Sequence, residues 1–179
     1  MNAQAHWARE PQLSKLPPIL RVLLVTDGTV TRTLEAYFAE AIEVHVLTHA
    51  TLSSDRYHPQ IEVVPGDPIL RRRVVLKGKA SGSAYVYAES IISCNRLSPE
   101  IGRRLMDERI GIGELLCKGR IETHRELLSV RQEQVGELDR HLDVDRKAWV
   151  YVRNYNIHCQ GCAAITISEA FPQSRYTAG

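Results

Sequence analysis

The spacing of apolar positions changes several times along the chain, and each change predicts an element. Leu16 to about Thr26 is apolar, with Pro18 placed to open a helix, although a short strand is equally compatible with the run. Asp27-Gly28-Thr29 breaks it, and Thr31 to Glu40 resumes with helical spacing at Leu34, Tyr37 and Phe38. Ile42 to Val46 alternates strictly, the mark of a half-buried strand. Residues 51–67 are polar, with Pro59, Pro65 and Gly66, and predict a surface loop. Leu70–Lys77 and Ala84–Ile92 predict two strands of a hairpin, and the small residues at 78–83 predict a mobile tip. Ser98 and Pro99 are an N-cap and a first helical residue for a helix running to Met106. Ile112–Cys117 predicts a helical turn, followed by a strand around Arg120–Val130 and a charged, exposed helix or loop over 131–147. Tyr151–His158 and Ala163–Phe171 predict a second hairpin, turning at Gln160-Gly161. No internal repeat stands out. Hairpin strands interrupted by helices predict an α+β fold on an antiparallel sheet.

At 179 residues the chain predicts one domain. Its expected parts are an amino-terminal arm over 1–18, a folded domain over 19–173 and a tail over 174–179. A net charge of +2 excludes binding to nucleic acid through bulk charge. No apolar run is long enough to span a membrane, and the amino terminus lacks a signal-peptide core, so the expected location is the cytoplasm. Of the four cysteines, only Cys159-Gln-Gly-Cys162, beside His158, has a suggestive spacing. A zinc site would need two more ligands, and a redox CxxC would open a helix, whereas a strand pattern follows. The turn of a hairpin accounts for it.

Three placements break the binary pattern. Ile165, Ile167, Glu169 and Phe171 share one face of a strand, so an acid sits among apolar residues. It is either a pocket acid able to hold or deprotonate a ligand hydroxyl, or an edge residue reaching solvent. Leu70, Arg72, Val74 and Leu76 likewise put a guanidinium on an apolar face, where an unpaired charge is costly. Its partner is Glu169, a ligand carboxylate, or both, the carboxylate fitting the planar fork of arginine; a purely structural ion pair is the alternative. Arg71-Arg72-Arg73 is no nucleic-acid patch, because a strand sends its members to alternating faces. Asp27-Gly28-Thr29 and Gly111-Ile-Gly113 each precede a helical stretch, and either cap a helix or leave backbone donors free for an anion.

Asp27-Gly-Thr-Val-Thr-Arg-Thr-Leu-Glu35, Leu70–Gly78, Tyr87-Ala-Glu-Ser-Ile91, Arg96-Leu-Ser-Pro99, Ile112-Gly-Glu-Leu-Leu116 and Ile167-Ser-Glu-Ala-Phe171 occur in this order. Together they resemble the chorismate pyruvate-lyase (4-hydroxybenzoate synthase) family over residues 20–172. The resemblance implies a six-stranded antiparallel sheet with helices covering one side and an enclosed ligand pocket, the chorismate lyase-like or UTRA-like fold. It implies cleavage of chorismate to 4-hydroxybenzoate and pyruvate by a carbon–oxygen lyase that uses no metal or organic cofactor. Its ligand contacts map to Val30 and Leu116 through their backbones and to Arg72 and Glu169, the last two as the catalytic pair. Val30 departs from the longer apolar residue of the best-known branch. The implied partners are the small-molecule substrate and product, in a monomer or dimer, with no nucleic acid and no membrane. The loops at 51–67 and 78–83 are candidate gates. The same fold serves as the effector-binding domain of some transcription regulators, so a ligand-binding module without turnover is the alternative, followed by a relative acting on another small molecule. Such regulators carry a DNA-reading domain that the short arm would not form.

Overall fold

Leu16 to Thr26 folds as a helix rather than a strand. In this computed structural model, which describes residues 13–107 and 111–177, α1 spans Pro18–Val25. Leu20, Leu23 and Leu24, spaced to share one side of a helix, are wholly buried. The second helix, α2 (Val30–Phe38), closes at Ala39 in the left-handed conformation. Three strands follow, β1 (Ile42–Ser53), β2 (Pro68–Gly78) and β3 (Ala84–Ser93). Helices α3 (Pro99–Asp107) and α4 (Ile112–Lys118) come next, α3 with Ser98 accepting from the Ile101 amide. Strand β4 (Thr123–Gln134), the short α5 (Asp139–Leu142), β5 (Trp149–Cys159) and β6 (Cys162–Pro172) complete the chain.

The six strands form one sheet in the order β1-β2-β3-β6-β5-β4, antiparallel throughout. Two three-stranded meanders are joined through their last strands, and each follows a pair of helices. Pro99 stands 81 residues after Pro18, both at helix starts. Strands β1 and β4 each bulge once, between Val46 and Thr48 and between Leu127 and Ser129, again 81 residues apart. Arg72 and Arg153 occupy equivalent places on β2 and β5. The chain is therefore a structural repeat related by a pseudo-two-fold axis between β3 and β6, a relation that its residue pattern does not display.

Helices α1 to α4 cover one side of the sheet. Leu20, Leu23, Leu24 and Leu34 pack on Leu76, Val86, Tyr151 and Phe171, while Ile101, Leu105, Ile112 and Leu115 pack on Leu70, Ile92, Ile157 and Ile165. The other side is covered only at its ends. Val135 and Leu142 cover Val75, Val150 and Val152 there, so the stretch 131–147 holds a strand end and buried residues as well as charge. Ile61 and Val63 pack on Ile69 and Ile91, so 51–67 is not wholly a surface loop.

Other expectations shift at the edges. The arm falls largely on residues 1–12, outside the described residues, but Leu16 is already in the core. At the other end Tyr176, within the expected tail, is buried and donates its hydroxyl to the Tyr85 carbonyl at 2.8 Å. The 78–83 tip gathers around Glu40, which accepts from the Ala80 and Ser81 amides and from the Ser81 and Tyr85 hydroxyls. These donors, Tyr85 foremost, lower the Glu40 pKa to about 2. At the other hairpin Gln160 and Gly161 both take positive φ, the turn that suits the twist of paired strands. Cys159 and Cys162 flank it in register as free thiols. No helix among the described residues is long and apolar enough to cross a membrane.

Candidate functional site

The pseudo-axis passes through a cavity between the sheet and the starts of α2 and α4. Its floor comes from inward positions that the repeat makes equivalent: Val74 with Tyr155, Ala88 with Ile167, Ser90 with Glu169. The first meander supplies the small member of each pair and the second the large one. The space follows from that inequality, since small residues on a close-packed face leave room that large neighbours on one side only partly fill. The cavity offers about 70 Å³ to the centres of water-sized molecules. At roughly 10–15 Å³ per water this is room for several waters.

Arg72 and Glu169 stand on this wall, 2% and 6% exposed. Arg72 lies opposite Ser90 and Glu169 opposite Ala88, so both point inward from strands either side of β3, about 10 Å apart across the sheet. Burial pushes the Arg72 guanidinium below its usual value, but an arginine starts high enough to stay charged.

The cation that meets Glu169 is Arg153, its neighbour on β5, and not Arg72. Arg153 Nε donates to Glu169 Oε2 at 2.6 Å, and Nη1 donates to the Leu23 and Thr26 carbonyls at 2.6 and 2.9 Å. The guanidinium thus closes the carboxyl end of α1, where helix carbonyls lack partners and the helix dipole favours a cation. Burial opposes the charge on Arg153, but Glu169 and Tyr155 outweigh it and its pKa is raised. The Tyr155 hydroxyl donates to Glu169 Oε1 at 3.1 Å, and burial, with the Glu169 charge, pushes that phenol up. Each Glu169 oxygen has one committed donor and keeps a lone pair for a ligand.

Val30 reaches the wall at the first residue of α2, flanked by Gly28, Thr29 and Thr31. Thr29 holds the N-cap position without a side-chain cap bond, while Thr26 Oγ1 receives the Gly28 amide. Leu116 is not brought to the wall. It lies deep in α4, packed in the core, and its amide falls within the helix ladder. The wall takes Gly111, Ile112, Gly113 and Glu114 instead. Gly113 is a matter of room: a Cβ there would sit 3.2 Å from Arg125 Nη2 and 3.5 Å from Thr29 Oγ1. On the other side of the sheet Arg71 and Arg73 converge on Glu89, at 3.8 and 3.1 Å, which confirms the alternation read from the triplet.

Arg153, Tyr155 and Arg125 are the residues that sequence reasoning missed. Arg153 carried the signal used for Arg72, a cation between Tyr151 and Tyr155 on a buried strand face.

Comparison with known proteins bears on the family and the fold. A family described as chorismate pyruvate-lyase Rv2949c-like matches residues 24–177. The chorismate pyruvate-lyase of Mycobacterium leprae is 32% identical over 169 residues, covering 91% of this chain and 78% of that protein. That of Mycobacterium tuberculosis strain H37Rv is 27% identical, covering 92% and 85%. A putative lyase of Methanocaldococcus jannaschii is 27% identical, covering 89% and 83%. Among solved structures, PhnF of Mycobacterium smegmatis superimposes with a TM-score of 0.68 at 16% identity, over 86% of this chain and 67% of that one. Its separate effector domain gives 0.66 at 14% identity, over 84% and 92%. At such identity these two show a shared fold, the six-stranded α+β architecture described above. The match over residues 24–177 spans both meanders and every wall segment of the cavity, and by it this chain belongs to the chorismate pyruvate-lyase Rv2949c-like family.

Proposed function

We propose that this chain is a cytoplasmic chorismate pyruvate-lyase that forms 4-hydroxybenzoate and pyruvate without a metal or organic cofactor. The observation that carries the proposal is the convergence of two buried opposite charges, Arg72 and Glu169, on one small apolar cavity. The reaction asks little covalent help of a protein. The C4–H and C3–O bonds of the ring break, the ring becomes aromatic, and the departing enolpyruvate gains a proton to become pyruvate. Electrons stay within the substrate, so no oxidant is needed. What is required is a fixed ring conformer, neutralised carboxylate charge and a route for one proton.

Arg72 holds a substrate carboxylate or the departing enolpyruvate oxygen. Glu169, oriented by Arg153 and Tyr155, receives the ring hydroxyl through its remaining lone pairs and assists the proton. Amides at the start of α2, around Val30, seat the other anionic end. The repeat supports the place of Arg72: where Arg153 faces Glu169 on the neighbouring strand, Arg72 faces the small Ser90 at the cavity wall, which leaves room beside the guanidinium for a ligand.

The shared architecture with an effector domain favours a second reading, aromatic-acid binding without turnover. Purified protein mixed with chorismate and followed in the ultraviolet separates the two. Stoichiometric pyruvate and 4-hydroxybenzoate support the lyase. Saturable 4-hydroxybenzoate binding with no pyruvate supports the binding module. Inertness to both removes the assignment in favour of another small-molecule substrate.

A further inference from the structure

Two buried hydroxyls stand on the cavity wall, those of Tyr155 and Ser90. Tyr155 is committed to Glu169 at 3.1 Å. Ser90 is 5% exposed, and its Oγ makes no hydrogen bond with another described residue. A hydroxyl taken out of bulk water and left unanswered destabilises a protein. Packing does not call for this one, because Val86, Ala88 and Ile92 hold the neighbouring inward positions of β3 without a polar atom. What the Ser90 hydroxyl can meet is whatever occupies the cavity.

Its place in the sheet narrows the ligand atom it meets. Ser90 lies opposite Arg72 of β2 on one side and Ile167 of β6 on the other, and Glu169 is the next inward residue of β6. Ser90 and Glu169 are therefore diagonal neighbours on one face, their backbones about 7–8 Å apart. At that separation the two side chains reach substituents on adjacent atoms of one ring. The first meander also carries the smaller floor residues, Val74 and Ala88. A ring hydroxyl at Glu169 thus leaves the bulkier arm of the ring over the half that holds Ser90.

We propose that Ser90 donates its hydroxyl to the ether oxygen that joins the enolpyruvyl group to the ring. This rests on the lyase reading for the ligand, chorismate, and on Glu169 receiving the ring hydroxyl. The ether carbon adjoins the carbon that bears that hydroxyl, so the two oxygens sit side by side, as Ser90 and Glu169 do. In the elimination the C4–H electron pair moves into the ring and the C3–O pair departs on the ether oxygen. One proton leaves C4, one is taken up by the enolpyruvate, and Ser90 keeps its own. The ether oxygen gains negative charge as its bond breaks, so a donor aimed at it is worth more in the transition state than in the bound substrate. The product lacks that oxygen, so the contact belongs to chorismate and not to 4-hydroxybenzoate.

The test sets Ser90→Ala and Ser90→Cys beside wild type, the cysteine keeping the volume with only a weak donor. Initial rates of pyruvate release give kcat and KM for chorismate, calorimetry gives the Kd of 4-hydroxybenzoate, and urea unfolding gives stability. Both variants are expected to lose about ten- to a hundred-fold in kcat/KM, mostly in kcat, the range for one donor to a group that gains charge. Product affinity is expected to stay within about twofold, and the urea midpoint to stay in place because no contact within the protein is lost. Unchanged kcat/KM in Ser90→Ala overturns the proposal. So does wild-type turnover in Ser90→Cys, which would make volume the requirement, or a loss confined to KM. A matching loss of 4-hydroxybenzoate affinity overturns it as well, by placing the hydroxyl on a group the product retains. Wild type that binds chorismate without releasing pyruvate refutes the lyase reading. The chorismate Kd of Ser90→Ala then decides the contact by itself, weaker binding supporting it and equal binding overturning it. Absence of chorismate binding to wild type overturns both.

Discussion

Removing Arg153 separates what the Arg153–Glu169 pair does for the fold from what it does for a ligand. Arg153→Met keeps much of the apolar stem and deletes donors to Glu169, Leu23 and Thr26. Glu169 then stays buried without its cation, a loss of about 3–5 kcal/mol when one partner of a buried pair is removed. Against a total stability of roughly 5–15 kcal/mol this is a large share. It corresponds to a fall in Tm on the order of 10 °C for a chain of this size. Glu169→Leu should cost a similar amount by stranding Arg153. In the double variant no charge is stranded, and the remaining deficit is the two helix carbonyls and the Tyr155 hydroxyl left without partners, about 1 kcal/mol each. Urea unfolding of wild type, both singles and the double closes the cycle. The double should be several kcal/mol more stable than the sum of the single losses predicts, yet should not regain pyruvate release. Additive losses, or single losses below about 1 kcal/mol, would refute the pair as a desolvated unit.

Three further outcomes follow from the geometry. Ser90→Glu places a carboxylate opposite Arg72 and fills the cavity, so 4-hydroxybenzoate binding by calorimetry should vanish while the fold survives; retained binding would show that the ligand sits elsewhere. Tyr155→Phe deletes one of the two donors on Glu169, and should lower kcat more than it raises KM, with a stability change of about 1 kcal/mol. A pure KM effect would assign Tyr155 to ligand contact instead. Glu40 has a folded pKa of about 2 against an ordinary 4.5. Its contribution is therefore complete above 4.5 and lost as pH falls towards 2. Thermal melts should fall more steeply across that window in wild type than in Glu40→Gln, and parallel curves would remove Glu40 as the clasp of the β2–β3 tip.

The fold class was legible because both hairpins announce themselves by alternation, and Glu169 and Arg72 were legible because each breaks it. Arg153 breaks it too, but alternation registers a misplaced charge without saying whether protein or ligand answers it. That choice depends on which strand lies alongside, and β5 lies beside β6 while β2 does not. Leu116 illustrates another limit. A family motif transfers a contact to a short helix, but the turn of that helix that meets the cavity depends on where the chain enters it, and here Gly111–Glu114 arrive first. Ile61 and Val63 sit in a stretch too short and polar to show a period, and only the sheet face beneath them explains their burial. Arg125 gives no local signal at all, because a charged residue on a half-exposed edge strand is ordinary until the cavity beside it is seen.

The repeat explains why a site arises on this sheet. Strict equivalence of the two meanders would place an arginine and a glutamate on each side of the axis, two closed ion pairs with matched large residues between them and no room. The chain departs from equivalence at a few inward positions. Glu169 has Ser90 as its counterpart, Ile167 has Ala88, and Tyr155 has Val74, each change subtracting volume from the first half. Arg72 has Arg153 as its counterpart while Ser90 stands where the second half has Glu169, and Val44 has Arg125 as its counterpart on the opposite edge. The first half carries the smaller inward side chains, and Arg72 and Arg125 both line the space. The result is a cavity between the two halves, floored by a sheet whose second half holds the Arg153–Glu169 ion pair. An effector domain and a lyase can share that plan, since binding needs polar groups and room, while under the proposed lyase reading elimination needs in addition that Glu169 be held at a fixed angle. The Arg153 and Tyr155 donors hold the Glu169 carboxylate from the sheet itself.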